Sequence, residues 1–285
     1  MAKKKSVLKS IFYGIWFLIK WLFKIIYYTI YYFFYFVFYK GIYNGIIFVV
    51  NKIKEISNKT LQKGAVKTNA KYEEFKIIET IKGNYQAFVL KLFKNPSLIA
   101  IILGARGTGK SALGMKLLEN IHSQTKRKCY TIGFQQKDLP SWISNVESVE
   151  QVENNSAVLV DEGGILFSSK NSMSTANKVL SELILVARHK DLSIFFISQN
   201  SSNIEINTLR QADFLLLKSS SLLQMDFERK KIKEIYKEAD KKFEGYKDKI
   251  GLTYIYSNDF TGFVANTLPS FWSTGMSKAF REKKK

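Results

Sequence analysis

SLIAIIL, residues 97–103, runs directly into GARGTGKS, residues 104–111, and on into ALGMKLLENI, residues 112–121. The apolar run follows the turn signal Asn95-Pro96 and predicts a short buried strand. A G-x-x-x-x-G-K-S loop between a strand and a helix predicts a P-loop, which cradles phosphate groups. Its glycines let the backbone curl so that N–H groups face phosphate oxygens. The expected contacts are Gly104, Arg106, Gly107, Thr108, Gly109, Lys110, Ser111 and Ala112. A helix starting near Lys110 aims its positive end at the same place. Lys110 is expected to reach the β- and γ-phosphate oxygens of ATP, and the Ser111 hydroxyl to ligate Mg²⁺. Arg106 is either a further phosphate contact or simply solvated.

Working outward, Ala157–Val160 reads as a second buried strand, ending in Asp161-Glu162. Phosphoryl transfer to water needs one carboxylate at a strand end to hold Mg²⁺ through water and another to polarise the attacking water. Asp161 fits the first role and Glu162 the second, with Gly163-Gly164 allowing the backbone to bend there. Apolar residues at 179, 180, 183, 184 and 187 give Ser174–Lys190 a helical face. Leu192–Ile197 is a further strand, ending at Ser198-Gln199-Asn200. Ile204–Ala212 reads as a short helix, Phe214–Leu217 as a strand, Leu222–Glu244 as one long helix, and Thr253–Ala265 as a hairpin. Strands alternating with helices imply an α/β fold with a parallel central sheet and helices on both faces. Ligands bind such sheets at the carboxyl ends of the strands. Gln199 could there touch a γ-phosphate or orient water. Arg188 and Arg210 lie at element ends and could stabilise transition-state charge, or could be surface ion-pair residues. His189 reads as structural.

The chain has 285 residues, with 44 Lys and Arg against 24 Asp and Glu, a formal charge of +20. Its hydrophobic content of 46% excludes a disordered basic tail. Cys129 is the single cysteine and His122 and His189 the only histidines, which excludes intramolecular disulfides and Cys-rich or His-rich metal sites. The charge is uneven. Residues 1–70 carry +11, the last ten residues +4, and the 205 between them only +5. Anionic lipid headgroups and nucleic-acid phosphates are the two partners such charge suits.

Eighteen of the forty residues Ile11–Val50 are Phe, Tyr or Trp. Ile25–Val50, interrupted by Lys40 alone, is long enough to cross a bilayer core of about 20 helical residues. Lys9, Lys20 and Lys24 share one helical stripe, so residues 6–24 could lie in the interface with Trp16 and Trp21 buried. A cleaved signal peptide fits poorly, because no small-residue cleavage site follows. Basic flanks on both sides permit a hairpin turning near Gly41–Gly45, or an interfacial helix and a single span. The expected divisions are a membrane anchor over 1–54, a helical linker over 55–95, a nucleotide domain over 96–270 and a basic tail over 271–285. The nucleotide requirement places the body on the cytoplasmic face of the membrane.

GARGTGKS, VLVDE, the ARH before an apolar strand and the SQN after it resemble, in that order, the FtsK–HerA superfamily of P-loop ATPases. Arg188-His189 followed by LSIFFISQ resembles its viral genome-packaging members. The anchor ahead of the motor resembles conjugative coupling proteins and the zonula occludens toxin-like assembly ATPases of filamentous phage. The resemblance covers about residues 96–220. It implies a RecA-like ATPase, a homo-oligomeric ring, and DNA as the partner moved by ATP hydrolysis in packaging, transfer or virion extrusion. It also implies that Gln199 is a sensor and that Arg188 or Arg210 is an arginine finger supplied to a neighbouring subunit. The alternative is a membrane ATPase that drives protein secretion, virion assembly or membrane remodelling without DNA.

Overall fold

The computed structural model describes residues 2–61, 68–163, 173–246 and 250–273. The chain divides into two compact units, Met1–Thr60 and Leu61–Lys285. The first is helical throughout its described length. Helix α1 (Ala2–Phe34) passes through a π-helical turn at Tyr35–Lys40 into α2 (Gly41–Leu61). Of the two arrangements the sequence permits, the hairpin turning near Gly41–Gly45 is not formed. Backbone hydrogen bonding continues through both glycines, because glycine lowers helix propensity without forbidding the helix.

Tyr13–Val50 is long and apolar enough to cross a membrane, and its described side chains are exposed to their surroundings. Rings stack along it at i,i+4 spacing, Tyr27 on Tyr31, Tyr31 on Tyr35 and Tyr35 on Tyr39. Lys40 folds back over the Phe36 ring at 5.0 Å, so the charge inside the apolar stretch is partly shielded by its own helix.

The second unit is built on one nine-stranded sheet. Its strands are β1 (Lys76–Gly83), β2 (Leu98–Leu103), β3 (Lys128–Ile132), β4 (Ile143–Asn145), β5 (Ser156–Asp161), β6 (Ser193–Ser198), β7 (Phe214–Leu217), β8 (Leu252–Ser257) and β9 (Phe260–Ala265). The spatial order is β1-β9-β8-β7-β2-β6-β5-β3-β4. From β7 to β4 all pairs are parallel, whereas β8, β9 and β1 join antiparallel. The sheet is thus mixed, not wholly parallel. β2, β5 and β6 are buried on both faces, which is why they read as unbroken apolar runs.

Helices α3 (Tyr85–Lys94) and α4 (Lys110–Thr125) cover one face, packing Phe88, Leu92, Leu113, Leu117 and Ile121 into one core. Helices α5 (Met173–Lys190) and α8 (Lys230–Gly245) cover the other, with Leu180, Leu183, Ala187, Ile235, Tyr236 and Phe243. The short helices α6 (Ile206–Gln211) and α7 (Leu222–Phe227) flank β7.

Two expectations are corrected. Residues 55–95 are not a helical linker, since they contribute β1, which pairs with β9, and α3. The single helix over Leu222–Glu244 is two, α7 and α8, broken at Glu228-Arg229. There the Glu228 carboxylate accepts from the Ser201 amide and hydroxyl, and the Arg229 guanidinium donates to the Ser201 and Ile204 carbonyls. These tertiary bonds outweigh continuation of the helix. The basic tail lies outside the described residues from 274 onward.

The amino-terminal edge of the sheet is tied by Arg127, which is buried. Its guanidinium donates to the carbonyls of Pro96, Ser156 and Asp191 and to the Ser193 hydroxyl, all at 2.8–2.9 Å. Those partners lie around the starts of β2, β5 and β6. Arg127→Met should cost about 3 kcal/mol, because buried carbonyls would lose a charged donor. Denaturant unfolding measures this, and an unchanged midpoint would refute it.

Candidate functional site

The carboxyl ends of β2, β5 and β6 meet at one edge of the sheet. β2 and β5 both pair with β6, so the loops that follow them converge. The loop after β2 is the GARGTGKS segment. Its glycines hold backbone angles that other residues rarely adopt, with φ of 154° at Gly104, 81° at Gly107 and 89° at Gly109. At Gly104 an added Cβ would lie 2.6 Å from Lys218 Cβ, so the position excludes a side chain on two grounds.

Lys218 had no signal in the sequence beyond its place after β7. It is buried, and its ammonium donates to the Ile250 and Leu252 carbonyls and to Asn266 Oδ1 at 2.8–3.0 Å. Its amide donates to the Leu103 carbonyl, and the Ala105 amide donates to the Ser219 carbonyl. The P-loop is thereby anchored to β7 and to the start of the β8–β9 hairpin.

Lys110 opens α4. Its Nζ donates to the Gly104 and Ala105 carbonyls at 2.7 and 2.8 Å, and is held over the loop it would leave to meet a phosphate. Burial pushes its pKa down to about 8, and the charges of Asp161 and Glu162 oppose that shift. Ser111 Oγ donates to Asp161 Oδ2 at 3.3 Å. The other Asp161 oxygen accepts from the Gly163 amide at 3.0 Å, which fixes the carboxylate at the end of β5.

Ser111 Oγ and the Asp161 carboxylate would together hold Mg²⁺, Ser111 directly and Asp161 through water. Among the described residues there is no cluster of three or more His, Cys, Asp or Glu able to hold a metal. An ion here would therefore take its remaining ligands from phosphate and water.

Glu162 is buried. Burial raises its pKa, hydrogen bonds from Ser198 and Asn203 lower it, the Asp161 charge raises it and Lys110 lowers it. Its carboxylate shares a cavity of about 390 Å³ with Arg106, Lys110, Ser111, Asp161 and Gln199. Arg106 and Gln199 are exposed side chains on that wall. The Ser198 and Asn203 hydrogen bonds oppose the upward shift that burial imposes on Glu162. Ser198 opens the SQN segment at the end of β6, and Asn203 lies on no sequence motif.

Arg188 and Arg210 are not at this site. Both are exposed and close helices that run back to the amino-terminal edge. Beyond Arg188, Leu192 accepts from the Leu98 amide at the start of β2. Beyond Arg210, Asp213 hydrogen-bonds the Ile99 backbone. At 3.3 Å per residue, six-residue strands separate that edge from the P-loop by roughly 20 Å. His189 is exposed at the same edge.

No protein-family model matches the chain, and no curated protein does. Solved structures do. The genome-packaging NTPase of Sulfolobus turreted icosahedral virus 2 with AMP matches at 16% identity, over 61% of this chain and 100% of its own, with a TM-score of 0.43. The pCW3 conjugation coupling protein TcpA, in its monomer form, matches at 9% identity, over 67% and 66%, with a TM-score of 0.41. Thermomonospora curvata EccC, ATPases 2 and 3 with a signal-sequence peptide, matches at 13% identity, over 61% and 37%, with a TM-score of 0.40. In this chain's own topology, the fold is an α/β arrangement with the P-loop segment after β2, in which three antiparallel strands extend a parallel set of six.

Proposed function

We propose that the chain is a membrane-anchored P-loop ATPase of the FtsK–HerA kind that couples ATP hydrolysis to movement of DNA. The observation that carries the ATPase reading is the meeting of Lys110, Ser111, Asp161 and buried Glu162 at one sheet edge. In this reading the P-loop amides and Lys110 bind the β- and γ-phosphates. Ser111 and, through water, Asp161 would hold Mg²⁺, which would supply positive charge against that developing on the phosphate oxygens. Glu162 takes a proton from water as the water oxygen bonds to the γ-phosphorus. The bond to the bridging oxygen breaks and ADP leaves with that electron pair. Gln199 orients the water. Arg188 or Arg210 of a neighbouring copy supplies further positive charge, since neither can act in its own subunit.

DNA as the moved partner rests on the order of motifs and on the ARH and SQN residues. The helix over Tyr13–Val50 supports the anchor. Basic residues flank it on both sides, so the cytoplasmic orientation of the body rests on its need for nucleotide. The test is hydrolysis by the full chain in detergent, with double-stranded DNA, single-stranded DNA or anionic liposomes supplied in parallel. DNA should raise turnover several-fold, and the gain should shrink as salt rises, because phosphate contacts release counterions.

A second reading is favoured by one observation. Most of the excess charge lies in residues 1–70 and the last ten residues, where lipid headgroups account for it. If liposomes stimulate and DNA does not, the chain handles protein or membrane rather than DNA.

A further inference from the structure

We propose that α7 of one copy of this chain docks into a groove between α6 and α8 of the next, joining copies head to tail. This rests on the neighbouring copy invoked above and says which two surfaces meet.

Three of the four most exposed large apolar side chains in the described part of the second unit lie on α7. Leu222, Leu223 and Phe227 are 89%, 74% and 73% exposed. Leu222 with Asp226 and Leu223 with Phe227 make two i,i+4 pairs on one side of the helix. The other side faces the body, with Gln224 buried and Met225 packed on the core. An apolar stripe left open in this way marks contact with a partner. Asp226 is the only charge on α7. Helices that lie on anionic lipid carry Lys and Arg, and nucleic-acid phosphates repel an acid. The stripe therefore suits an apolar protein surface that holds a cation.

The chain itself carries such a surface. A cavity of about 920 Å³ lies over the start of β7 and the end of β8, where Phe214 pairs with Ser257. Its apolar wall includes Ile206 and Leu209 of α6, Ile232 of α8 and Tyr256 of β8. Five Lys and Arg and two acids line it, a net charge of +3. One of the acids, Asp213, already accepts from the Ile99 amide. Arg229 is held by the Ser201 and Ile204 carbonyls, and Lys231 by Glu234. The side chains of Lys82, Arg210 and Lys230 have no such partner among the described residues. An apolar floor beside unpaired cations complements an apolar stripe that bears one acid.

The two surfaces belong to opposite edges of the sheet. α7 starts from the P-loop edge, where the Ser219 carbonyl accepts from the Ala105 amide. The groove includes Arg210 at the amino-terminal edge. Contact between unlike patches is heterologous and repeats from copy to copy. It carries Arg210 toward the neighbour's P-loop edge, and so favours Arg210 over Arg188 as the residue supplied in trans.

The test is disulfide cross-linking of full chains in detergent. Leu223→Cys and Ile206→Cys are made in separate chains, both at exposed side chains, while the native Cys129 is buried. Oxidising the mixture should give several-fold more linked pairs than either variant alone. A chain with both cysteines should give a ladder beyond two copies. In sedimentation, Phe227→Ser should weaken association about 30-fold, the range of a buried aromatic anchor. Asp226→Lys should weaken it several-fold.

No excess of linked pairs in the mixture would overturn the docking, and a product that stops at two copies would overturn the head-to-tail arrangement. Phe227→Ser that leaves association intact but weakens liposome binding would give α7 to the bilayer and overturn it as well. Wild-type chains that sediment as monomers would instead remove the neighbouring copy itself, so the two failures are distinguishable.

Discussion

Lys110→Ala is expected to abolish ATP hydrolysis and to weaken ATP binding by roughly 100-fold. The side chain does two things. It neutralises triphosphate oxygens, and charge-assisted hydrogen bonds of this kind are worth about 1.5–3 kcal/mol each. It also holds the P-loop in shape, donating to the Gly104 and Ala105 carbonyls. Burial already pushes its pKa down to about 8, so the free site holds a cation that gains stability when phosphate arrives. Binding by equilibrium dialysis and phosphate release measure the two effects. Binding within a few-fold of the wild type would show that the loop does not receive the triphosphate. A melting profile close to wild type would show that the loss is local.

Glu162→Gln is expected to separate binding from turnover. The amide keeps the size of the side chain and can still meet Ser198 and Asn203, the residues that hydrogen-bond the carboxylate. It cannot take a proton from water. General-base catalysis contributes about 10²–10⁴-fold, so hydrolysis should fall by that factor while ATP affinity stays within a few-fold. The variant should accumulate bound, uncleaved ATP. The burial of Glu162 distinguishes this position from Asp161, whose carboxylate is engaged by Ser111 Oγ and the Gly163 amide. Asp161→Asn should instead reduce the Mg²⁺ dependence of binding.

The site was readable in the sequence because its parts are contiguous. An apolar strand, a glycine loop and a helix follow one another at residues 97–121, and a second apolar strand ends in two acids. What escaped reading has physical causes. β1 is an edge strand with little buried surface, so its residues carry no apolar run. β4 has three residues, too few for any period. The break between α7 and α8 comes from Glu228 and Arg229 bonding to Ser201 and Ile204, which no local pattern announces. Lys218 and Arg127 lie on no sequence motif and are buried, because clusters of carbonyls distant in sequence receive them.

The formal charge of +20 has a changed meaning as well. The +5 of the central 205 residues leaves little net charge for a DNA channel, and the rest of the excess lies in residues 1–70, around and within the long apolar helix, and in the last ten residues. Charge alone thus argues for lipid contact. DNA movement depends on the motif order and must be tested as such.

The account's central claim is a hydrolytic site in which Lys110 binds and Glu162 cleaves. The most direct measurement is bound nucleotide and released phosphate, followed together, for the wild type, Lys110→Ala and Glu162→Gln as full chains with Mg²⁺ and ATP. The account predicts turnover in the wild type, binding weakened roughly 100-fold and no turnover in Lys110→Ala, and ATP held with turnover cut about 10²–10⁴-fold in Glu162→Gln. Equal phosphate release by Glu162→Gln and the wild type would contradict it.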